Sequence, residues 1–235
     1  MDGWNKYLLI IPAFNEEMNI SNVLKTVKQG TSSLTVDVIV IDDGSTDKTA
    51  ELVLQEQVKI IRLSTNLGYG GAVQTGFKFA AKKDYDYVIL FDADGQHDAL
   101  YIKELIDYIE ANGCDIVIGS RYVDEYFCKV IDIKRAGIGF FSWIVSLFIK
   151  TKITDATSGL QIISRKVFSY LSVGNNYPQD HPDADVLIIL GKLGYTIKEY
   201  PVLMHERKHG LSMHRGIIRP LVYIVKMLIS ILCTL

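Results

Sequence analysis

The sequence has few cysteines, little net charge and no long uninterrupted apolar run near its start. Its three cysteines, Cys114, Cys128 and Cys233, are too few and too widely spaced for a disulfide framework or a zinc site, so we expect a reducing compartment. A formal net charge of -2 over 235 residues argues against binding to nucleic acid. The stretch MDGWNKYLLIIPAFNEE has only a short apolar run before its acidic residues, so we expect neither a signal peptide nor a spanning helix there.

Apolar residues are plentiful and arranged in short runs. They make up 49% of the chain, enough for one sizeable core or for one large domain with an appendage. Runs rich in β-branched residues alternate with stretches of helical periodicity, and they cover residues 7–11, 36–41, 58–63, 87–91 and 115–119. Continuous apolar strands that alternate with helices predict an α/β fold with a mostly parallel sheet and helices on both faces.

Polar and acidic residues follow these runs. The segments after the five runs are PAFNEE, DDGSTD, STNLGYGGA, DADGQ and SRY. In open α/β sheets, ligands bind in the crevice beyond the carboxyl ends of the strands. The sequence therefore predicts that the chemistry of this protein collects along one edge of the sheet.

The segment DADGQ has the features of a metal site. Asp92, Asp94 and Gln96 alternate along an extended segment, which places their oxygens on one side. A hard divalent cation such as Mg or Mn accepts such oxygens and keeps positions open for phosphate. The alternative is a solvated turn, since Asp and Gly are ordinary turn residues, but the position at the end of a buried strand favours the metal.

The segment DDGSTD suits a nucleotide crevice. Asp42 and Asp43 stand at a strand end, where acidic residues accept hydrogen bonds from a base or a ribose. Ser45 or Thr46 is expected to cap a helix that begins near Asp47.

Glycine and histidine give weaker signals. The glycines of NLGYGGA fit neither standard phosphate-binding fingerprint, so we interpret Gly68, Gly70 and Gly71 as points where another backbone approaches closely. The histidines lack the spacing of a metal site, and we expect most of them at the surface. They are His97, His181, His205, His209 and His214.

Two apolar stretches in the second half suggest contact with a membrane. Residues 135–150 and 220–235 are apolar over most of their length, but both are too short and too closely flanked by charge to predict spanning helices. Interfacial helices, half-inserted helices and oligomer contacts all remain open. Because an exposed apolar helix is unfavourable in water, we expect membrane attachment together with self-association or a small integral-membrane partner.

The motifs, taken in order, resemble one enzyme family. IPAFNEE, VIDDGSTDKT, NLGYGGAVQTGF, FDADGQHD, IVIGSRYV, DATSGLQIISRKV and GYTIKEYPVLMHERKHGLSM are similar to the motifs of family 2 glycosyltransferases of the GT-A fold. The pattern is closest to that of the dolichyl-phosphate mannose synthase-like and bacterial polyprenyl-phosphate glycosyltransferases. The resemblance implies a Rossmann-like GT-A domain over residues 1–215, with an interfacial helix at about 134–150, and a C-terminal apolar helix over 216–235.

The resemblance also implies a donor site. Pro12, Phe14 and Glu16 match the nucleotide-binding start of the family, where Phe14 keeps the usual aromatic ring without its hydroxyl group. Ile41 and Asp43 match the strand end that contacts the nucleoside. The segment that binds the metal and the diphosphate matches Asp92, Ala93, Asp94 and Gln96.

Basic and acidic residues later in the chain match further family positions. Arg121 and Arg135 match positions associated with donor and acceptor phosphates, and Arg207 matches a loop arginine near the donor diphosphate. Met213 departs from the pattern, because the mannose synthases commonly have Lys there. Asp183 and Asp185 lie where many members have a catalytic base, but acids at a helix N-terminus are an equally simple interpretation.

The implied reaction is the inverting transfer of a sugar from a nucleotide sugar to polyprenyl phosphate, with undecaprenyl phosphate as the expected acceptor. It is expected at the cytosolic membrane face, for modification of cell-envelope glycans. UDP-GlcNAc or UDP-glucose is the preferred donor, and a GDP-sugar remains open. One alternative is transfer to a glycan or lipid-linked sugar with Asp183 or Asp185 as base. The other is a non-catalytic nucleotide-binding scaffold subunit, against which the intact DADGQ segment argues.

Overall fold

A seven-stranded sheet forms the centre of the molecule, in a computed structural model that describes residues 5–123, 133–179, 182 and 184–205, with only the backbone described for 133–137. The strands are β1 (Tyr7–Ala13), β2 (Val36–Asp42), β3 (Lys59–Arg62), β4 (Tyr87–Leu90), β5 (Ile116–Ser120), β6 (Gln161–Ser164) and β7 (Ile197–Pro201). The helices are α1 (Ile20–Gly30), α2 (Thr49–Gln55), α3 (Tyr69–Lys82), α4 (Tyr101–Asn112), α5 (Ile133–Ile149), α6 (Arg165–Leu171) and α7 (Ala184–Lys192). The five predicted strands are confirmed as β1 to β5, with small differences at their ends.

Strand direction determines which loops meet at the site. The sheet order is β3-β2-β1-β4-β6-β5-β7, and β6 runs antiparallel to both of its neighbours. The pairs β1–β2, β1–β4, β2–β3 and β5–β7 are parallel. Because two antiparallel pairings restore the direction, every strand except β6 ends at the same edge. That edge therefore carries the segments after the parallel strands and the segment that leads into β6.

The apolar residues form one core on each face of the sheet. Leu8 and Ile10 point to one face and Leu9 and Ile11 to the other, and all four are buried, as strand periodicity requires. Helices α3, α5, α6 and α7 cover the first face, and α1, α2 and α4 cover the second. The predicted sheet with helices on both faces is confirmed, although β6 and β7 were not predicted.

The two apolar stretches of the second half have different outcomes. The first coincides with α5, which packs against α7 and has buried residues such as Phe141 and Val145. The second, residues 220–235, lies outside the described residues. Within the described parts of the chain, no helix combines the length and the apolar character needed to cross a bilayer.

Candidate active site

Asp43 binds the main chain of the loop that leads into α3. It follows β2 directly, and its carboxylate accepts hydrogen bonds from the main-chain N–H groups of Leu67 at 2.7 Å and Gly68 at 2.9 Å. The side chain is buried, and burial raises its pKa, an effect that these two donors partly offset. Asp42 instead has a structural role, because it is fully buried and accepts hydrogen bonds from Arg62 Nε and the Ser45 N–H, both at 3.0 Å.

The glycines after β3 allow a close backbone contact, as predicted. A Cβ on Gly70 would lie 2.0 Å from the carbonyl oxygen of Pro178, and the Gly70 N–H donates to the Gln179 carbonyl at 3.1 Å. Gly68 has a φ of 85°, which strains residues with a side chain. Segment 178–179 is thereby held against the start of α3.

The loops after β1 and β2 are hydrogen-bonded to each other. The Asn15 N–H donates to Ser45 Oγ at 3.0 Å, and the Thr46 N–H donates to Asn15 Oδ1 at 2.9 Å. The predicted caps were wrong, because Ser45 and Thr46 bind Asn15 and α2 begins only at Thr49, whose N–H donates to Asp47 Oδ1 at 2.9 Å. This contact fixes the strand ends that carry the predicted nucleotide site.

The residues predicted to bind the nucleotide differ in exposure. Pro12 and Ile41 are buried at the ends of β1 and β2. Phe14 is 45% exposed, so its ring is available for stacking. Glu16 accepts a hydrogen bond from Asn19 Nδ2 at 2.7 Å.

The Asp92 carboxylate lies just beyond β4 among three neighbours. Its Oδ1 accepts a hydrogen bond from the Tyr69 hydroxyl at 3.2 Å, and its Oδ2 lies 3.4 Å from His97 Nε2. Gly159, in the segment before β6, is so close that a Cβ there would lie 1.9 Å from Oδ2. The side chain of Asp92 nevertheless remains 25% exposed, so it can reach a ligand.

Asp94 and Gln96 form the following turn. Asp94 Oδ1 accepts from the Gln96 N–H at 3.0 Å, and Gly95 between them has a φ of 75°. Gln96 is also tied to the chain after β7, since its Nε2 donates to the His205 carbonyl at 3.2 Å and its carbonyl accepts from the His205 N–H at 2.7 Å. Ala93 is buried beneath the turn.

The carboxylates at this strand end fit a hard divalent cation that takes part of its ligands from the protein and the rest from a bound substrate and water. Asp92 and Asp94 supply two partly exposed carboxylates on one strand end. Among the described residues, no group of three or more His, Cys, Asp and Glu side chains is placed to hold a metal ion. A cation bound at Asp92 and Asp94, with the side-chain oxygen of Gln96 as the predicted third ligand, would therefore complete its coordination with water and phosphate oxygens, as Mg commonly does.

Arg121 is held in a network of buried groups. Asp155, which is fully buried, accepts hydrogen bonds from Arg121 Nε and Nη2, both at 2.6 Å, while Nη2 also donates to Thr157 Oγ1 at 3.0 Å. Burial alone would lower the pKa of Arg121, but the hydrogen bonds and charge of Asp155 outweigh it, and the pKa is raised. The Asp155 N–H donates in turn to Glu199 Oε1 at 2.8 Å.

The remaining predicted site residues are less well defined. Asp183 and Arg207 lie outside the described residues, as does the side chain of Arg135. Asp185 lies in the first turn of α7, is 1% exposed, and accepts from the Val186 N–H at 2.8 Å. Its location matches the interpretation as an acid at a helix N-terminus.

Several residues of the site were not found from the sequence. The expectation of a surface position was wrong for His97, which is 4% exposed. Tyr69, Asp155 and Gly159 had no assigned role, although Tyr69 belongs to the quoted motif NLGYGGAVQTGF and the other two belong to DATSGLQIISRKV. Only the reversed direction of β6 brings that motif to this edge.

A family model and two named relatives match the sequence of this chain. The family model described as Glycosyl transferase family 2 matches residues 8–171. A UDP-N-acetylglucosamine–dolichyl-phosphate N-acetylglucosaminyltransferase of Methanococcus voltae is 32% identical over 226 residues, covering 88% of this chain and 88% of that protein. A polyprenol monophosphomannose synthase of Mycolicibacterium smegmatis is 28% identical over 217 residues, covering 89% of this chain and 81% of that protein.

A solved structure shares the fold. Glucosyl-3-phosphoglycerate synthase from Mycobacterium tuberculosis, in complex with Mn2+ and uridine-diphosphate-glucose, matches with a TM-score of 0.67 and 18% sequence identity. The match covers 97% of this chain and 78% of the other.

Proposed function

The chain belongs to the family 2 glycosyltransferases, and from that premise we propose that it transfers a sugar from a UDP-sugar to a polyprenyl phosphate, with inversion at the anomeric carbon. The observation that carries the proposal is the single sheet edge on which Asp43, Asp92, Asp94 and Arg121 stand. Relatives named for transfer to dolichyl phosphate and for polyprenol monophosphomannose synthesis support the acceptor class. UDP-GlcNAc or UDP-glucose is the donor that we propose, and undecaprenyl phosphate is the acceptor.

The donor would lie across the ends of β1, β2 and β4. Phe14 offers an exposed ring for the base, and Asp43 fixes the loop at the start of α3. Asp92 and Asp94 would hold a Mg or Mn ion, which when bound would stabilise the negative charge that develops on the diphosphate. We place Arg207 near that diphosphate on the strength of the family pattern alone.

The reaction needs no strong base if the acceptor is a phosphate. A phosphate oxygen already carries charge at neutral pH, so it can attack the anomeric carbon without losing a proton in the reaction. The bond from the anomeric carbon to the diphosphate oxygen breaks, and its electron pair leaves with the nucleoside diphosphate. Attack from the opposite side inverts the configuration, and Arg121 with Arg135 would orient the acceptor phosphate.

The burial of Asp185 favours a phosphate acceptor over a sugar hydroxyl group. Deprotonation of a hydroxyl group needs a base within hydrogen-bonding reach of the acceptor. Asp185 is 1% exposed and bonded to the N–H of its own helix, so it is poorly placed for this role. Asp183, the other candidate base, lies outside the described residues, and transfer to a glycan is kept as an outcome of the test rather than a second proposal.

The surface of α5 supports a location at the membrane. Phe140, Trp143 and Leu147 are 47%, 61% and 61% exposed, and their spacing of three and four residues puts them on one face of the helix. An apolar stripe with an aromatic residue is typical of helices that lie in the bilayer interface. We propose that this face rests on the cytoplasmic side of the cell membrane, and that residues 220–235 add a membrane, self-association or membrane-partner contact.

The test is an assay of the purified full chain with short-chain polyprenyl phosphate and a panel of UDP- and GDP-sugars, with products identified by mass. We expect a lipid-phosphate glycoside with one donor, dependent on a divalent cation and abolished in Asp94→Ala with the fold retained. A glycan and a lipid-linked sugar serve as the competing acceptors. The absence of any lipid-phosphate glycoside would overturn the proposal, and turnover by Asp94→Ala that still depended on metal would overturn the metal assignment.

A further inference from the structure

The two acids of the Asp-x-Asp segment are held in different ways. Asp94 accepts a hydrogen bond from the main-chain N–H of Gln96, two residues away in the same turn. Asp92 is contacted instead by side chains from other places, with the Tyr69 hydroxyl on Oδ1 and His97 Nε2 on Oδ2. Both distances, 3.2 Å and 3.4 Å, lie at the long end of the hydrogen-bond range, so the contacts contribute direction more than strength. The orientation of Asp92 therefore depends on side chains that can be replaced one at a time.

His97 is an unusual residue for its position. Its side chain is 1% exposed, its ring packs edge-on against Phe91 with 5.7 Å between centroids, and its Nδ1 has no hydrogen-bond partner among the described residues. A buried polar atom without a partner costs stability, and a leucine at this position would avoid that cost. Since a carboxylate only accepts hydrogen bonds, the contact with Asp92 requires the proton to be on Nε2. The one polar contact of the ring thus points at Asp92.

Gly159 closes the third side of the carboxylate. A Cβ at this position would lie 1.9 Å from Asp92 Oδ2 and 2.5 Å from Cγ, so any side chain there would force the carboxylate to move. Tyr69 comes from the start of α3, His97 from the turn after β4, and Gly159 from the segment before β6. Three separate segments therefore meet around the Asp92 carboxylate, and the Asp92 side chain remains 25% exposed.

We propose that Tyr69 and His97 are positioning residues that fix the rotation of the Asp92 carboxylate. The carboxylate is then already oriented when a divalent cation binds. Ligands held by hydrogen bonds from behind bind metals more tightly, because less conformational freedom is lost on binding. This inference rests on the proposed metal site at Asp92 and Asp94 and adds to it the groups that orient the first of the two ligands. Tyr69 and His97 do not themselves contact the metal or the sugar.

The test measures the affinity of the full chain for Mn2+ directly, from the loss of the electron paramagnetic resonance signal of the free ion. Titrations are run with Mn2+ alone, with UDP and with GDP. We expect Tyr69→Phe and His97→Leu each to weaken Mn2+ binding by about 10- to 100-fold, the range usual for groups that orient metal ligands. His97→Gln is expected to restore most of the affinity, because the amide nitrogen of glutamine occupies nearly the position of Nε2 and donates a hydrogen bond to Asp92.

Tyr85→Phe is the matched control. Its hydroxyl donates to Asp37 Oδ2 at 2.7 Å, so the change removes a tyrosine–aspartate hydrogen bond away from the site. We expect its Mn2+ affinity to equal that of the wild type, with thermal melts reporting the folded state of every variant. If His97→Leu does not fold, Tyr69→Phe and His97→Gln still decide the question.

The outcomes separate this inference from the proposed function. Mn2+ binding by the wild type with unchanged affinity in Tyr69→Phe and His97→Leu would overturn the positioning role and leave the metal site standing. Weak binding in His97→Gln equal to that in His97→Leu would show that Nε2 has no part in it. If the wild type bound no Mn2+ under any of the three conditions, the metal site and the positioning role would both fail.

Discussion

The guanidinium group of Arg121 lies in the fork of the Asp155 carboxylate, with Nε 2.6 Å from Oδ2 and Nη2 2.6 Å from Oδ1. Asp155 is fully buried, and the side chain of Arg121 is 22% exposed. The fork uses one edge of the guanidinium, formed by Nε and Nη2, and Nη1 lies 3.5 Å from Met204 Sδ. Arg121 is therefore fixed in one orientation before any phosphate arrives.

Asp155→Asn is predicted to destabilise the protein. It leaves the buried end of the guanidinium with a neutral partner, and breaking a buried pair from one side costs about 3 kcal/mol. Urea unfolding measures the loss. Asp107→Asn is the control, because Asp107 pairs with Lys103 at the surface and its loss costs less than about 1 kcal/mol. Equal losses in the two variants would contradict a structural role for the fork.

Gly159→Ala is predicted to lower activity while leaving the fold intact. The new Cβ meets the end of the Asp92 side chain, which can rotate away, so the main cost falls on the orientation of that carboxylate. We expect activity and Mn2+ affinity to fall by about 10- to 100-fold, with a small change in melting temperature.

Gly139→Ala provides the comparison for Gly159→Ala. Gly139 lies in α5 with nothing within 4 Å of its added Cβ, so alanine there is expected to stabilise the helix by about 0.5–1 kcal/mol without loss of activity. If Gly159→Ala were as active as Gly139→Ala, the close approach of residue 159 to Asp92 would not matter for activity.

Glu199 is predicted to give the stability a distinct pH dependence. Burial raises its pKa above the ordinary value of 4.5, and the N–H groups of Asp155 and Thr154 partly offset this. The folded chain thus binds the proton more tightly than the unfolded chain does. The contribution of Glu199 to the free energy of unfolding therefore falls as the pH rises from 4.5 through the raised pKa, and it is constant above that.

Glu199→Gln isolates this effect. Urea unfolding is measured across the acidic range for both proteins. The free energy of unfolding of the wild type minus that of the variant should fall as the pH rises, on top of any constant offset from lost hydrogen bonds. A difference that stayed constant with pH would contradict the raised pKa.

Leu147→Glu is predicted to weaken binding to membranes. Burial of an exposed leucine in the bilayer interface contributes about 1.5–3 kcal/mol, so its loss should lower the partition coefficient at least roughly tenfold in sedimentation with anionic vesicles. Leu54→Glu is a close control, since Leu54 and Leu147 are both 61% exposed but Leu54 lies on α2, on the opposite face of the sheet. Equal effects of the two substitutions would contradict a membrane contact through α5.

The sequence predicted those parts of the fold that local pattern determines. Strands β1 to β5 are continuous apolar runs, and the polar residues after them are where parallel strands place them. Strand β6 was missed because Gln161–Ser164 has only two apolar residues, Ile162 and Ile163. Its antiparallel direction, which no local signal encodes, brings Asp155 and Gly159 to the site.

Contacts between distant residues account for the other differences. Ser45 binds the N–H of Asn15, 30 residues earlier, and so does not cap a helix. The burial of His97 follows from its packing beneath Asp92 and against Phe91, and a single histidine in a polar turn carries no sign of this. The site was therefore predictable as a set of strand-end acids, and the groups that orient those acids were not.

The most direct measurement follows the two halves of the donor separately. The nucleotide sugar selected by the donor panel is labelled in its sugar and, in a parallel reaction, in its β-phosphate, and each is incubated with the enzyme and polyprenyl phosphate. We expect the sugar label to enter the lipid fraction while the β-phosphate label stays in the aqueous nucleoside diphosphate. Entry of the β-phosphate label into the lipid, or failure of the sugar label to enter it, would contradict transfer of the sugar alone to the acceptor phosphate.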